Sequence, residues 1–315
     1  MATTVPDFPP GYVEEDISRR VLIAAYLFIP LEIVIVGLRC LTRWRFAGKW
    51  GVDDYFMAPA LLFCLGVCVI GIVEVHIAGI GRHLLVLLYG GETEKAVNWV
   101  KCGYAIEVVY FIAVASPKLS VLASYLRIFV EKKHRIAAYT IGGVVVATAF
   151  TGVVTSLASC RPFSARWDFT LVDTHCINSA HFWQGMAFPN IVTDLLMLVL
   201  PWPVLWRLQL PRRQKLALVG VFLLGSFGMV ASIIRLTATF RFDSLSDGTY
   251  VSADICVWSI VEPGCYLIAS CLPALRPLFT SMKKLVTTSF SAKSKSTGSY
   301  GAQNTGESEA YIELV

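Results

Sequence analysis

Charge is scarce in this chain. Asp, Glu, Lys and Arg make up 16% of its 315 residues, and 56% are apolar. Soluble domains carry about a quarter charged residues. With a mean hydropathy of +0.63, the composition points to a membrane protein. Other absences narrow the function. No CxxC pair occurs, which removes a zinc ribbon. No Walker A, HExxH or GxSxG stretch occurs, and GIGRH at 79–83 is not a nucleotide fingerprint. The start of the chain is acidic and lacks a basic leader before an apolar core, so a cleaved signal peptide is not expected. No N-x-Ser/Thr sequon and no internal repeat are present. A net charge of +5 is too small to suggest nucleic acid as a partner.

What is abundant is long apolar sequence. A spanning helix needs about 20 mostly apolar residues. Stretches at 20–41, 53–75, 101–127, 136–158, 182–206, 216–240 and 253–275 meet that length. They predict an all-α seven-helix membrane bundle over 20–280, after a short N-terminal tail (1–19) and before a disordered, Ser/Thr-rich tail (281–315). Prolines fall within several of these helices, and kinks are expected near Pro117 and Pro189. Lys and Arg gather in alternate connections, at Arg43, Arg45 and Lys49, at Lys132, Lys133 and Arg135, and at Arg212, Arg213 and Lys215. Positive residues favour the cytoplasm, so the N-terminus is expected outside and the C-terminus inside. The short LLVLLY run at 84–89 is expected to lie along the membrane interface.

Ionisable residues inside such helices are costly and mark candidate sites. Glu107, Lys118, Asp194, Arg235 and Glu262 stand out, with Glu32 as a sixth. At about 1.5 Å per residue, Glu107, Arg235 and Glu262 share the outer third of the bundle. They suggest an Arg between two carboxylates. Lys118 and Asp194 lie deeper and could pair if their helices touch. The bland reading of all five is a structural network that sets helix register. Cys160 and Cys176 share one outer loop and are expected to form a disulfide, with Cys102 as a competing partner. His175, Cys176 and His181 match no ligand spacing, so no metal is expected. His76 and His83 read as solvated loop histidines. Asp53 and Asp54 read as acids placed at a helix start.

Several stretches then resemble one family when taken in order. They are DDY at 53–55, GIGRH at 79–83, KLSVLASYLRIF at 118–129, CRPFSARW at 160–167, NIVTD at 190–194, LPWPVLWRLQLPRRQK at 200–215, Arg235, WSIVE at 258–262 and CLPALRPL at 271–278. Together they resemble fungal integral membrane proteins with a rhodopsin-like domain, a group that includes receptor-like members and one from the satratoxin cluster. The resemblance implies a seven-helix fold with the N-terminus outside, and little about activity. The last helix has no lysine for retinal. Tyr125-Leu126-Arg127 replaces the Asp/Glu-Arg-Tyr of animal G-protein-coupled receptors. The expected function is receptor-like sensing of a small or lipophilic ligand, without a cofactor, in the plasma membrane rather than an endomembrane. The lipid bilayer and an unidentified cytoplasmic signalling protein are the implied partners. The alternatives are a membrane-embedded enzyme of the terpene-cyclase kind, with Asp194 or Glu262 as general acid, and a transporter. The absence of a repeat weighs against the transporter.

Overall fold

A computed structural model of the chain describes residues 11–47, 51–129, 131–167, 175–203, 212–240 and 247–275. The expected tail from 281 lies outside these residues. The described chain is a helical bundle. Its elements are α1 (Ser18–Thr42), α2 (Val52–Tyr55), α3 (Met57–Val73), α4 (Leu84–Tyr89), α5 (Thr93–Ile128), α6 (Lys132–Leu157), α7 (Ser179–Val199), α8 (Arg212–Phe240) and α9 (Gly248–Cys271). Wider π-helical turns extend α1 over Arg43–Ala47 and α3 over Glu74–Ala78.

Six of these helices, with their extensions, are long and apolar enough to cross a membrane. The remaining long helix, α7, has 21 residues. It is more polar because Gln184, Asn190, Thr193 and Asp194 fall along it. Burial runs opposite to that of a soluble protein. Leu27, Leu62, Phe150, Phe188 and Leu223 are exposed, whereas Glu32, Arg39, Lys118 and Glu262 are among the largest fully buried side chains. Outward apolar side chains suit lipid, and the polar groups must then be satisfied within the bundle.

Helix α9 is the central element and packs on α1, α3, α5 and α8. Val21, Ala25, Ala60, Val67, Ile260 and Leu267 form the α1–α3–α9 core. A second core joins α5, α6 and α7 through Leu122, Tyr125, Ile141, Val145 and Met197. Small residues set the close approaches. A Cβ on Gly152 of α6 would lie 2.6 Å from the Phe111 ring of α5. Gly152→Val is therefore expected to force these helices apart, at a cost of about 1–3 kcal/mol. The check is thermal denaturation of the purified protein, with Gly143→Val as the control, since nothing lies within 4 Å of a Cβ there.

The helices continue through their prolines. Proline has no N–H, so it leaves the carbonyl four residues earlier without its helical donor. At Pro117 that carbonyl belongs to Ala113, and the Cys64 thiol of α3 donates to it at 3.8 Å. The short α4 buries one face in the bundle and leaves Leu88 and Tyr89 exposed. Leu84 and Leu87 are buried in the protein, and the helix packs on α5 and α9.

Candidate functional site

The two ends of the bundle are distinct. At one end, β1 (Cys160–Arg161) and β2 (His175–Cys176) pair antiparallel, and Cys160 is disulfide-bonded to Cys176. Cys102 is free. The 3₁₀ turn Phe163–Arg166 follows β1 and places Arg166 against α5. Its guanidinium donates to Glu107 Oε1 at 2.6 Å and also to Ser159. Trp183 Nε1 of α7 donates to the same Glu107 oxygen at 3.0 Å. Glu107 is therefore paired with Arg166 from the loop, not with Arg235. The sequence carried no signal for this pairing, because Arg166 reads as an ordinary loop cation until the hairpin folds it inward.

Deeper in the bundle, Lys118 of α5 forms a buried ion pair with Asp194 of α7. Lys118 Nζ also donates to Asn190 Oδ1 at 2.7 Å. Asn190 and Asp194 are one helical turn apart, so one face of α7 presents both. Arg235 Nε of α8 meets Glu262 Oε2 of α9 at 3.1 Å. Glu262 accepts three more hydrogen bonds, from Tyr110 at 2.7 Å, Asn190 at 2.7 Å and Ser232 at 2.6 Å. Ser232 also lies 3.0 Å from Asp194 Oδ2. The two ion pairs thus form one network, bridged by Asn190 and Ser232. Two cations balance two carboxylates, which is what a low-dielectric interior requires. The Arg235 guanidinium lies 4.5 Å from the Tyr110 ring centroid and 5.7 Å from that of Trp183, within cation–π range. Tyr110, Asn190 and Ser232 are members that a search for charges alone overlooks.

Glu32 stands apart from this network. It is fully buried between α1, α3 and α9, and neither carboxylate oxygen has a hydrogen-bond partner among the described residues.

At the far end, Asp53 and Asp54 do more than begin a helix. Asp54 Oδ1 accepts from Arg39 Nε at 3.0 Å and from Arg43 Nε at 3.1 Å. Asp53 Oδ2 accepts from Arg39 Nη2 at 2.6 Å, and its Oδ1 lies 3.0 Å from Arg127 Nη1. Arg39 also donates to the Ser270 carbonyl of α9. Two acids thereby tie α1, α5 and α9 together. Glycine at 51 leaves space for Arg127, since a Cβ there would collide with its guanidinium.

His83 also differs from its expectation of a solvated loop histidine. It is buried and stacked between Tyr12 and Tyr250, with centroids at 3.7 and 4.4 Å. Its Nδ1 is 2.7 Å from Asp247 and its Nε2 is 3.3 Å from Glu15. Burial, reinforced by the hydrogen bond to Asp247, pushes the Tyr12 phenol up to about 12. Gly81, at φ +94°, permits this turn, where a Cβ would strike the Ser18 backbone. The knot joins the N-terminal segment to the starts of α4 and α9.

A cavity of about 1030 Å³ opens at the disulfide end. Trp99, Tyr104, Tyr110 and Trp183 form its aromatic walls, with Glu74, Glu107 and Arg166 as charged lining. The disulfide and Leu84 and Leu88 of α4 border it. Tyr110 and Trp183 belong to both the cavity and the buried charge clusters. Among the described residues, no group of three His, Cys, Asp or Glu side chains is placed to hold a metal ion.

Apolar outer faces, several spanning helices and an internally neutralised charge network define a multi-pass integral membrane protein. Residues 38–281 match the fungal rhodopsin domain, and the chain belongs to that family. It is 34% identical over 264 residues to a polyenoic acids biosynthesis gene cluster protein of Metarhizium anisopliae, covering 80% of this chain and 71% of that one. It is 33% identical over 185 residues to a SAT4 family membrane protein of Emericella nidulans, covering 58% of this chain and 46% of that protein. It is 26% identical over 297 residues to the receptor GIN3 of Arthrobotrys oligospora, covering 91% and 71%. No solved structure matches the chain.

Proposed function

We propose that this protein is a receptor-like member of its family and binds a small lipophilic ligand in the cavity at the disulfide end. The observation that carries this reading is the shared wall. Tyr110 lines the cavity and donates to Glu262, and Trp183 lines it and donates to Glu107. A ligand that moves either ring changes the hydrogen bonds of a buried carboxylate. Such a ligand shifts the population of bundle arrangements by its differential affinity for them. A pocket of this size with aromatic walls and few polar groups suits an apolar ligand. The likeness to the receptor GIN3 over most of the chain supports the same reading.

Seven crossings, with the disulfide end outside in the plasma membrane, complete the proposal. α7 is then the fifth of the seven crossings in chain order, its polar face turned to the network. The basic segments favour this orientation. The name of the Metarhizium relative raises the enzymatic reading. The geometry weighs against it: Asp194 and Glu262 are each engaged by a buried cation, Lys118 and Arg235, and neither is among the residues that line the cavity.

The test uses the purified full chain in nanodiscs. Lipophilic compounds that stabilise it thermally should also quench its tryptophan fluorescence, since Trp99 and Trp183 line the cavity. Trp183→Leu should reduce that quenching. Stabilising compounds that leave the fluorescence unchanged in both proteins would place their site elsewhere and sink the reading.

A further inference from the structure

We infer that the cavity selects lipophilic amines over lipophilic acids, with Glu74 as the selecting residue. The inference rests on the proposed ligand-binding role of this cavity. Among the described residues, three charged side chains line it: Glu74, Glu107 and Arg166. Two of them neutralise each other, because Arg166 is held on Glu107 at 2.6 Å with Ser159 as a further partner. Glu74 is left over. It sits where α3 passes into its π-helical turn, and the residue is only 3% exposed. Its side-chain partner is the Cys256 thiol of α9, a weak donor. Among the described residues no Lys or Arg forms an ion pair with it. Lys95 and Arg82 both face Glu92 instead.

A buried carboxylate without a counter-charge is costly to ionise. An ammonium group delivered by a ligand offsets that cost by pairing with the carboxylate, whereas a ligand carboxylate brings no counter-charge and would itself be buried unpaired. The surrounding walls favour the same sign. Aromatic rings attract cations and repel anions; Tyr104, Tyr110 and Trp183 already meet Arg166 or Arg235 in this way, and Trp99 adds a further ring to the same wall. The Tyr104 hydroxyl has no hydrogen-bond partner among the described residues. It can accept from an ammonium or donate to a neutral head. The ligand class is therefore an apolar body bearing one protonated amine. Arg166 does not reverse this preference, because its charge is already met by Glu107.

The experiment compares 2-(1-naphthyl)ethylamine with 1-naphthylacetic acid at pH 7, by calorimetric titration of the full chain in nanodiscs. Empty nanodiscs correct for partition into lipid. The amine is expected to bind the wild-type protein at least tenfold tighter than the acid. Glu74→Gln should abolish that preference while leaving the thermal midpoint near wild type. Because the wild-type comparison needs no variant, the outcome stands even if Glu74→Gln does not fold. Equal or tighter binding of the acid overturns the inference and leaves the cavity reading in place. A preference that survives in folded Glu74→Gln overturns the role of Glu74. Binding of neither compound overturns the cavity reading and the inference with it.

Discussion

Lys118→Met is expected to destabilise the bundle by about 3–5 kcal/mol, the usual cost of stranding one member of a buried pair. The ammonium of Lys118 is 1% exposed and pairs with an equally buried Asp194. Without it, the network holds two carboxylates and one guanidinium. Asp194 keeps Ser232 at 3.0 Å, but a hydroxyl does not balance a charge. Lys118→Met combined with Asp194→Leu removes both charges and refills most of the volume. It is expected to return to within about 1 kcal/mol of wild type, because a buried ion pair is often no better than an apolar pair of the same size. Thermal denaturation in nanodiscs across the four proteins of the cycle measures the coupling. Independent, additive effects would show that Lys118 and Asp194 do not depend on each other.

The second large effect belongs to the opposite end. Asp54→Ala is expected to cost about 3–5 kcal/mol as well, since it strips the buried Arg39 of two hydrogen bonds and leaves Asp53 to face three guanidinium groups. It also removes the acceptor of the Gly51 N–H at 2.9 Å. Arg127→Met should cost far less, about 0–1 kcal/mol, although it touches the same cluster. The Arg127 side chain is 46% exposed, whereas that of Arg39 is 2% exposed. Limited proteolysis at rising temperature, read by loss of the full-length band, ranks the two. A larger loss from Arg127→Met than from Asp54→Ala would contradict the burial argument.

Much of this protein follows from one-dimensional information. The apolar runs are long enough to require helices, because a backbone in hydrocarbon must satisfy its own hydrogen bonds. The scarcity of charge made Glu107, Lys118, Asp194, Arg235 and Glu262 conspicuous, and the spacing of Asn190 and Asp194 put both on one helical face. The disulfide joins two cysteines of a single loop. Partner choice was a different matter. Whether Arg235 or Arg166 would meet Glu107 depended on how the hairpin after α6 folds back over α5. Asp53 and Asp54 looked like helix-start acids because the pairing needs α1 to fold back on the turn that follows it, bringing Arg39 and Arg43 round, and the far end of α5 to supply Arg127. His83 looked solvated because Tyr12, Asp247 and Tyr250 come from segments that meet only after folding. Hydropathy is a local property, so it can be read residue by residue. Charge pairing and cavity shape depend on which helices become neighbours, and long-range packing alone sets that.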